Sequence, residues 1–257
     1  MIYIVLPAYN EEPNIKIILN KLYKLWKEKL NKYQILIVIV NDGSKDNTEK
    51  IIDEYSAELG NQNSSFSIKK ISHESNKGLG QAIKSGFEYI LKISQDNEIV
   101  VSLDCDNTHP VDLISIMVDK INSGKDLVVA SRFVSDAEVI GVPVSRKILS
   151  YGASIIFKIF FPIDNIKDYT SGFRAYKIEI LKNAAENIKP FFTESGFSCM
   201  VDILLKLQKF NRNINAEELP MVLRYDLKLG KSKMKVVKNI FNTFLLIFKR
   251  KFFRNNE

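Results

Sequence analysis

The sequence predicts an α/β domain with a mostly parallel central sheet. Short apolar runs rich in β-branched residues alternate with helical patterns through the first half, the signature of successive βαβ units. Polar loops close most of those runs, and 257 residues at 46% hydrophobic and 26% charged content suit one large globular domain.

The expected strands are Tyr3–Leu6, Ile35–Val40, Ser67–Ile71, Ile99–Leu103 and Leu127–Ala130. Helices start at readable signals between them. Pro13 suits a first turn, Asp46 and Glu49 have capping-box spacing, and Pro110 marks another start. The second half is less regular, with an apolar stretch over 148–163, a polar turn over 168–174 and a helical pattern over 197–210. Loops fall at 7–12, 41–45, 74–79 and 104–109, and all but one directly follow a strand's carboxyl end, the edge where open parallel sheets bind ligands.

Several classes are excluded early. Cys105 and Cys199 are too few for a disulfide framework and lack metal or redox spacing, so free thiols in a reducing compartment are expected. The run Ile2–Leu6 is too short for a secretory signal and lacks a basic leader, which points to a cytosolic or cytosol-facing protein. A dinucleotide reading of Gly78-Leu79-Gly80 fails because Ile83 stands at the third glycine. A sugar-phosphate nucleotidyltransferase would carry a glycine- and arginine-rich loop near residue 10, where this chain is acidic.

The strongest chemical feature is Val100-Val101-Ser102-Leu103-Asp104-Cys105-Asp106, an apolar strand ending in two carboxylates one residue apart. Such acids repel each other unless a cation sits between them, and a hard divalent ion held by one or two carboxylates plus substrate phosphates is the common solution. At other loops, Asp42 before Gly43 can accept from a nucleobase, the opening loop brings Tyr9, Glu11 and Glu12, and Lys77 adds a cation at a helix start.

These segments together resemble the family 2 glycosyltransferases of the GT-A fold, a Rossmann-like nucleotide-sugar-binding domain, and among them the dolichol-phosphate mannose synthase-like polyprenyl-phosphate glycosyltransferases. The resemblance rests on Leu6-Pro7-Ala8-Tyr9-Asn10-Glu11-Glu12, the Asn41–Thr48 segment, Asn76–Ala82, Leu103–Pro110, Ser131-Arg132-Phe133 and Asp168–Tyr176, in the family's order. It implies that Pro7, Tyr9, Glu11 and Asp42 surround the nucleotide, that Asp104 and Asp106 bind Mg²⁺ or Mn²⁺ with the diphosphate, and that Arg132 and Arg146 face phosphates. Arg174 is expected at an acceptor phosphate, and Lys228 and Lys233 resemble a late basic motif that closes over the donor. Thr108 stands where the family often has a glutamine, and His109 beside it reads as a capping group rather than a ligand.

The implied reaction is inverting transfer of a sugar from a nucleoside-diphosphate sugar to a polyprenyl phosphate; transfer to a saccharide hydroxyl and non-catalytic sugar-nucleotide binding are the alternatives. A phosphate acceptor is already ionised near neutral pH, so a side-chain base is needed only for a hydroxyl, with Glu194 or Asp202 as candidates.

Net charge is +7, and the run from Lys228 to Arg254 carries basic residues and no acid. Residues 1–233 form the expected catalytic domain and 234–257 a basic amphipathic C-terminal helix, with Val237, Phe241, Phe244, Phe248 and Phe252 on one face. Its large apolar residues argue against nucleic acid. A membrane surface, the catalytic domain itself and a small membrane subunit are the three candidate partners of that face, and the first places the protein peripherally at the cytosolic side of a membrane.

Overall fold

The structure is a computed structural model and describes residues 1–60, 65–194, 196 and 198–230. All five expected strands form: β1 (Ile2–Ala8), β2 (Ile35–Asn41), β3 (Phe66–Ser72), β4 (Ile99–Ser102) and β5 (Leu127–Ser131). Four short strands follow that local pattern did not mark: β6 (Glu138–Ile140), β7 (Arg174–Lys177), β8 (Ala216–Pro220) and β9 (Val222–Arg224). Seven strands make one sheet in the order β3-β2-β1-β4-β7-β5-β8, parallel except for β7, and β6 pairs with β9 apart from it. This is the α/β, mostly parallel arrangement expected of a GT-A fold.

Side-chain alternation makes the sheet two-faced. Ile2, Ile4, Leu6 and Ala8 of β1 enter one core with Ile35, Ile37 and Ile39 of β2, while Tyr3 and Val5 enter the other with Val38 and Val40. The first core is covered by α1 (Glu12–Leu25), α2 (Thr48–Gly60) and α4 (Leu113–Asn122). The second lies beneath α3 (Leu79–Ile93), α6 (Ile178–Asn187) and α7 (Ser198–Phe210), with Phe157 of α5 (Val144–Phe160). Gly86 lets α3 approach the sheet, because a Cβ there would lie 2.7 Å from Val5 Cγ1. In all, helices cover both sheet faces, so loops at the carboxyl ends of β1, β2 and β4 meet at one edge, where strand order reverses about β1.

Two local readings are corrected. Asp46 does cap α2, accepting from the Thr48 amide at 3.0 Å, but Glu49 turns away to Lys70 at 2.9 Å and Ser72 at 2.7 Å. Pro110 opens a turn, and α4 begins only at Leu113. The apolar stretch over 148–163 is most of α5. The expected C-terminal helix and Lys233 lie outside the described residues.

Candidate active site

The paired acids owe their direction to the residues between them. Leu103 and Cys105 are buried in the core, leaving Asp104 and Asp106 to the crevice. The Asp104 amide donates to His109 Nδ1 at 3.2 Å, which puts the neutral ring's proton on Nε2, 3.9 Å from Asp104 Oδ2. Phe173 holds that ring by stacking, with centroids 5.2 Å apart. His109 therefore supports the Asp104 turn, as its sequence position suggested. Thr108 fixes Asp106 through its hydroxyl at 2.7 Å and its amide at 3.2 Å.

The second Asp106 oxygen meets the Lys228 ammonium at 2.5 Å. Burial works to raise both carboxyls. At Asp104 it prevails, helped by Asp106 nearby, and the group is held above the usual carboxylate range. At Asp106 the Lys228 charge, with the hydrogen bonds from Lys228 and Thr108, outweighs it and holds the carboxyl low. Lys228 is held up in turn by Asp106 and Glu11 against its own burial.

A segment distant in sequence latches Lys228 in place. Leu229 exchanges hydrogen bonds with Asn14, its amide donating to Asn14 Oδ1 at 3.2 Å and its carbonyl accepting from Nδ2 at 3.0 Å. Asn14 also donates to Glu11 at 2.8 Å. Arg146 of α5 donates to the Tyr225 hydroxyl at 2.9 Å. The opening loop, the paired acids and the segment after β9 are thus joined.

Asp42 sits at the end of β2 as the hub of the next loops. Its carboxylate accepts from the amides of Lys77 and Gly78 at 2.9 and 2.8 Å and from His73 Nδ1 at 2.7 Å. The other ring nitrogen of His73 is hydrogen-bonded to the Ser85 hydroxyl at 2.9 Å. Gly43, at φ +68°, permits this turn, since a Cβ would lie 2.5 Å from the Ser75 backbone. Pro7 and Tyr9 are half-buried on the neighbouring strand end, and the Lys77 side chain is exposed. Sequence reading missed His73, whose signal was its place just past β3, where the other loops carry polar groups.

Arg132 lines the crevice, but its guanidinium is already engaged, by Asp168 at 2.7 and 2.8 Å and by Thr170 at 2.6 Å. Burial opposes both charges of that pair, yet Arg132 holds Asp168 low. Two expectations need correction, those for Arg174 and Asp202. Arg174 does not face the crevice: it enters β7 between β4 and β5, fully buried, and donates to the carbonyls of Met200 and Tyr169 at 2.6 and 2.7 Å. Asp202 is enclosed in an ion pair with Lys206 at 2.9 Å and accepts from Thr193 at 2.7 Å, which ties down the preceding loop rather than presenting a base. Glu194 is half-buried and accepts from Ser198 at 3.2 Å.

Asp104, Asp106, Arg132, Arg146 and Lys228 share one cavity of about 840 Å³, whose other walls are mostly apolar, including Ile83, Val142, Ile148, Leu149 and Ile156. Among the described residues no three His, Cys, Asp or Glu side chains gather to cage a metal. Two carboxylates on one crevice wall, Asp106 already paired with a cation, fit the alternative mode, in which a divalent ion takes its remaining ligands from phosphate oxygens and water.

Comparison with known proteins agrees with this geometry. The model of Glycosyl transferase family 2 matches residues 3–184. The chain is 29% identical over 233 residues to the dolichol-phosphate mannosyltransferase of Pyrococcus furiosus, covering 90% of this chain and 58% of the relative. It is 32% identical over 218 residues to the UDP-N-acetylglucosamine–dolichyl-phosphate N-acetylglucosaminyltransferase of Methanococcus voltae, covering 82% of each. The mannosyltransferase PcManGT from Pyrobaculum calidifontis, solved with GDP-Man and Mn²⁺, shares the fold at a TM-score of 0.60 and 16% identity, over 100% of this chain and 65% of that one. With its fold, its converging loops and residues 3–184 all in agreement, the chain belongs to glycosyl transferase family 2.

Proposed function

We propose that this protein moves a sugar from a nucleoside-diphosphate sugar to a polyprenyl phosphate, inverting the anomeric centre, at the cytosolic face of a membrane. One observation carries the reading: a single cavity joins the paired acids Asp104 and Asp106 to the apolar wall supplied by α5. A charged diphosphate suits one end and a prenyl chain the other, and relatives named for dolichyl- and polyprenyl-phosphate transfer support it.

In this reading Asp104 and Asp106 hold Mg²⁺ or Mn²⁺, which supplies charge neutralisation at the leaving diphosphate. Lys228 turns from Asp106 to the diphosphate, and Arg146 faces the same oxygens. Arg132 anchors the Asp168 turn beside them. An acceptor phosphate oxygen attacks the anomeric carbon in line as the bond to the diphosphate breaks, which inverts that centre. The phosphate arrives ionised, so neither Glu194 nor Asp202 has to take a proton. The segment 234–257 serves as a membrane contact, on the lipid directly or through a small membrane subunit.

A panel of nucleotide sugars tested with Mg²⁺ or Mn²⁺ against a polyprenyl phosphate and against free saccharides decides the matter. Glycosyl phosphate lipid is the expected product. Product only with hydroxyl acceptors rejects the lipid assignment, and binding without turnover on any acceptor rejects the enzyme.

A further inference from the structure

Glu218 stands on the edge strand β8, opposite Val129 of β5, and does not itself line the crevice. Acids on edge strands ordinarily face water and discourage further pairing. This one is turned inward. Its Oε2 is shut off from solvent, and its Oε1 accepts from the amides of Lys167 and Asp168 at 2.8 and 2.6 Å. The Lys167 carbonyl accepts in turn from the Ser154 hydroxyl of α5, so this backbone is gripped from both sides. Next along the chain is the Asp168 carboxylate, which accepts from the Arg132 amide, Nε and Nη2 at 3.1, 2.8 and 2.7 Å and from the Thr170 and Ser171 amides at 3.2 and 3.0 Å. Arg132, Thr170, Ser171 and Gly172 all line the crevice. Among the described residues, Asp168 and Thr170 engage Nε and Nη2 of Arg132 and leave Nη1 to the crevice.

We infer that Glu218 is a positioning residue for the crevice: by holding the amides of Lys167 and Asp168 it sets the Asp168 carboxylate, and through it the direction in which Arg132 presents Nη1 to phosphate oxygens. The phosphate rests on the proposed function; the positioning does not. Both bonds end on one oxygen, so the position requires reach and a lone-pair acceptor rather than a charge. Burial, with the Asp168 charge beside it, holds the Glu218 carboxyl above its usual range, which agrees. The same turn abuts the paired acids, since a Cβ at Gly172 would lie 3.6 Å from Asp104 Oδ1. Slack at Lys167 and Asp168 therefore reaches both the arginine and the acids.

Two variants of the full chain separate reach from charge. Glu218→Gln keeps the reach and the acceptor oxygen and removes the charge, whereas Glu218→Asp keeps the charge and is one methylene short of the two amides. Nuclear magnetic resonance reads solvent exchange of the Arg132 Nε–H, assigned by its disappearance in Arg132→Lys. The indole N–H of Trp26, the chain's one tryptophan, serves as reference, since it donates to the Tyr33 carbonyl at 3.1 Å in the first core. The Asp variant should exchange about tenfold faster at Arg132, the scale of one lost hydrogen bond, with Trp26 unchanged, and the Gln variant should stay within about twofold of wild type. Inorganic pyrophosphate with Mn²⁺, followed by calorimetry, should bind the Asp variant about tenfold more weakly and the Gln variant like wild type. Wild-type exchange at Arg132 in the Asp variant, a Gln variant as loose as the Asp variant, or equal acceleration at Arg132 and Trp26 overturns the inference. So does unchanged pyrophosphate affinity in an Asp variant whose Arg132 is loosened. A wild-type protein that binds no pyrophosphate overturns the phosphate reading of the crevice instead, and the exchange rates then decide the positioning alone.

Discussion

The Lys228 ammonium stands 2.5 Å from Asp106, at a separation of 122 residues in sequence, and occupies the side of the carboxylate that a divalent ion would approach. In the proposed reading a divalent ion would compete with Lys228 for one oxygen unless a diphosphate drew the lysine away. Replacing Lys228 by Met should tighten Mn²⁺ binding in the absence of nucleotide about tenfold, the scale of one charge-assisted hydrogen bond, and weaken nucleoside-diphosphate binding. Electron paramagnetic resonance of free Mn²⁺ and calorimetry read the two effects. Unchanged Mn²⁺ affinity would show that the pair does not gate the metal.

Asp104→Ala and Asp106→Ala should each abolish transfer and Mn²⁺ binding while the far-ultraviolet circular dichroism stays native. Wild-type rates in either variant, or in excess EDTA, would refute metal dependence through these acids.

The Arg132–Asp168 pair makes a prediction about acid. Asp168 is held below its unfolded value near 3.9, so its contribution is complete above that pH and is lost as pH falls through the lower, folded value. Asp168→Asn leaves Arg132 buried without its counter-charge and should cost about 3–5 kcal/mol at neutral pH. Urea unfolding at pH 7 and pH 3 should show the wild type losing part of this advantage at the lower pH. An Asn variant as stable as wild type at pH 7 would contradict it.

Burial pushes the Cys199 thiol up to about 12, and Cys105 is equally enclosed. Neither should react with a thiol reagent in the native state at pH 8, and both should react at once in denaturant. Prompt native labelling of Cys199 would mean that α7 opens.

Truncation after Gly230 should reduce binding to anionic vesicles, more so at low salt, while leaving a folded domain. Full-strength vesicle binding by the truncated chain would remove any membrane role for the segment 234–257.

Much of the fold was legible because it is written in local period. Five strands, the two-sided burial of β1 and β2 and the ligand edge all follow from alternation and from loop chemistry at strand ends. The paired acids were legible for the same reason, since an apolar strand ending in two carboxylates is anomalous within seven residues. Strands β6 to β9 were not, being three to five residues long and defined by partners far away.

What tertiary structure alone decided is which charges face the crevice. Arg174 looks like a phosphate ligand in its turn, but pairing of β7 between β4 and β5 carries it inside, where two backbone carbonyls accept from its terminal guanidinium nitrogens. Asp202 looks available on its helix; Lys206, four residues on, is in register to pair with it, but only packing buries that pair at 1% exposure and brings Thr193 onto it. Conversely, nothing local to Lys228 announces Asp106. Sequence determined the kinds of group at each strand end, through short-range sterics and hydrophobic period. Their partners depended on chain segments brought together by burying two apolar sheet faces, a long-range event that no window of neighbouring residues encodes.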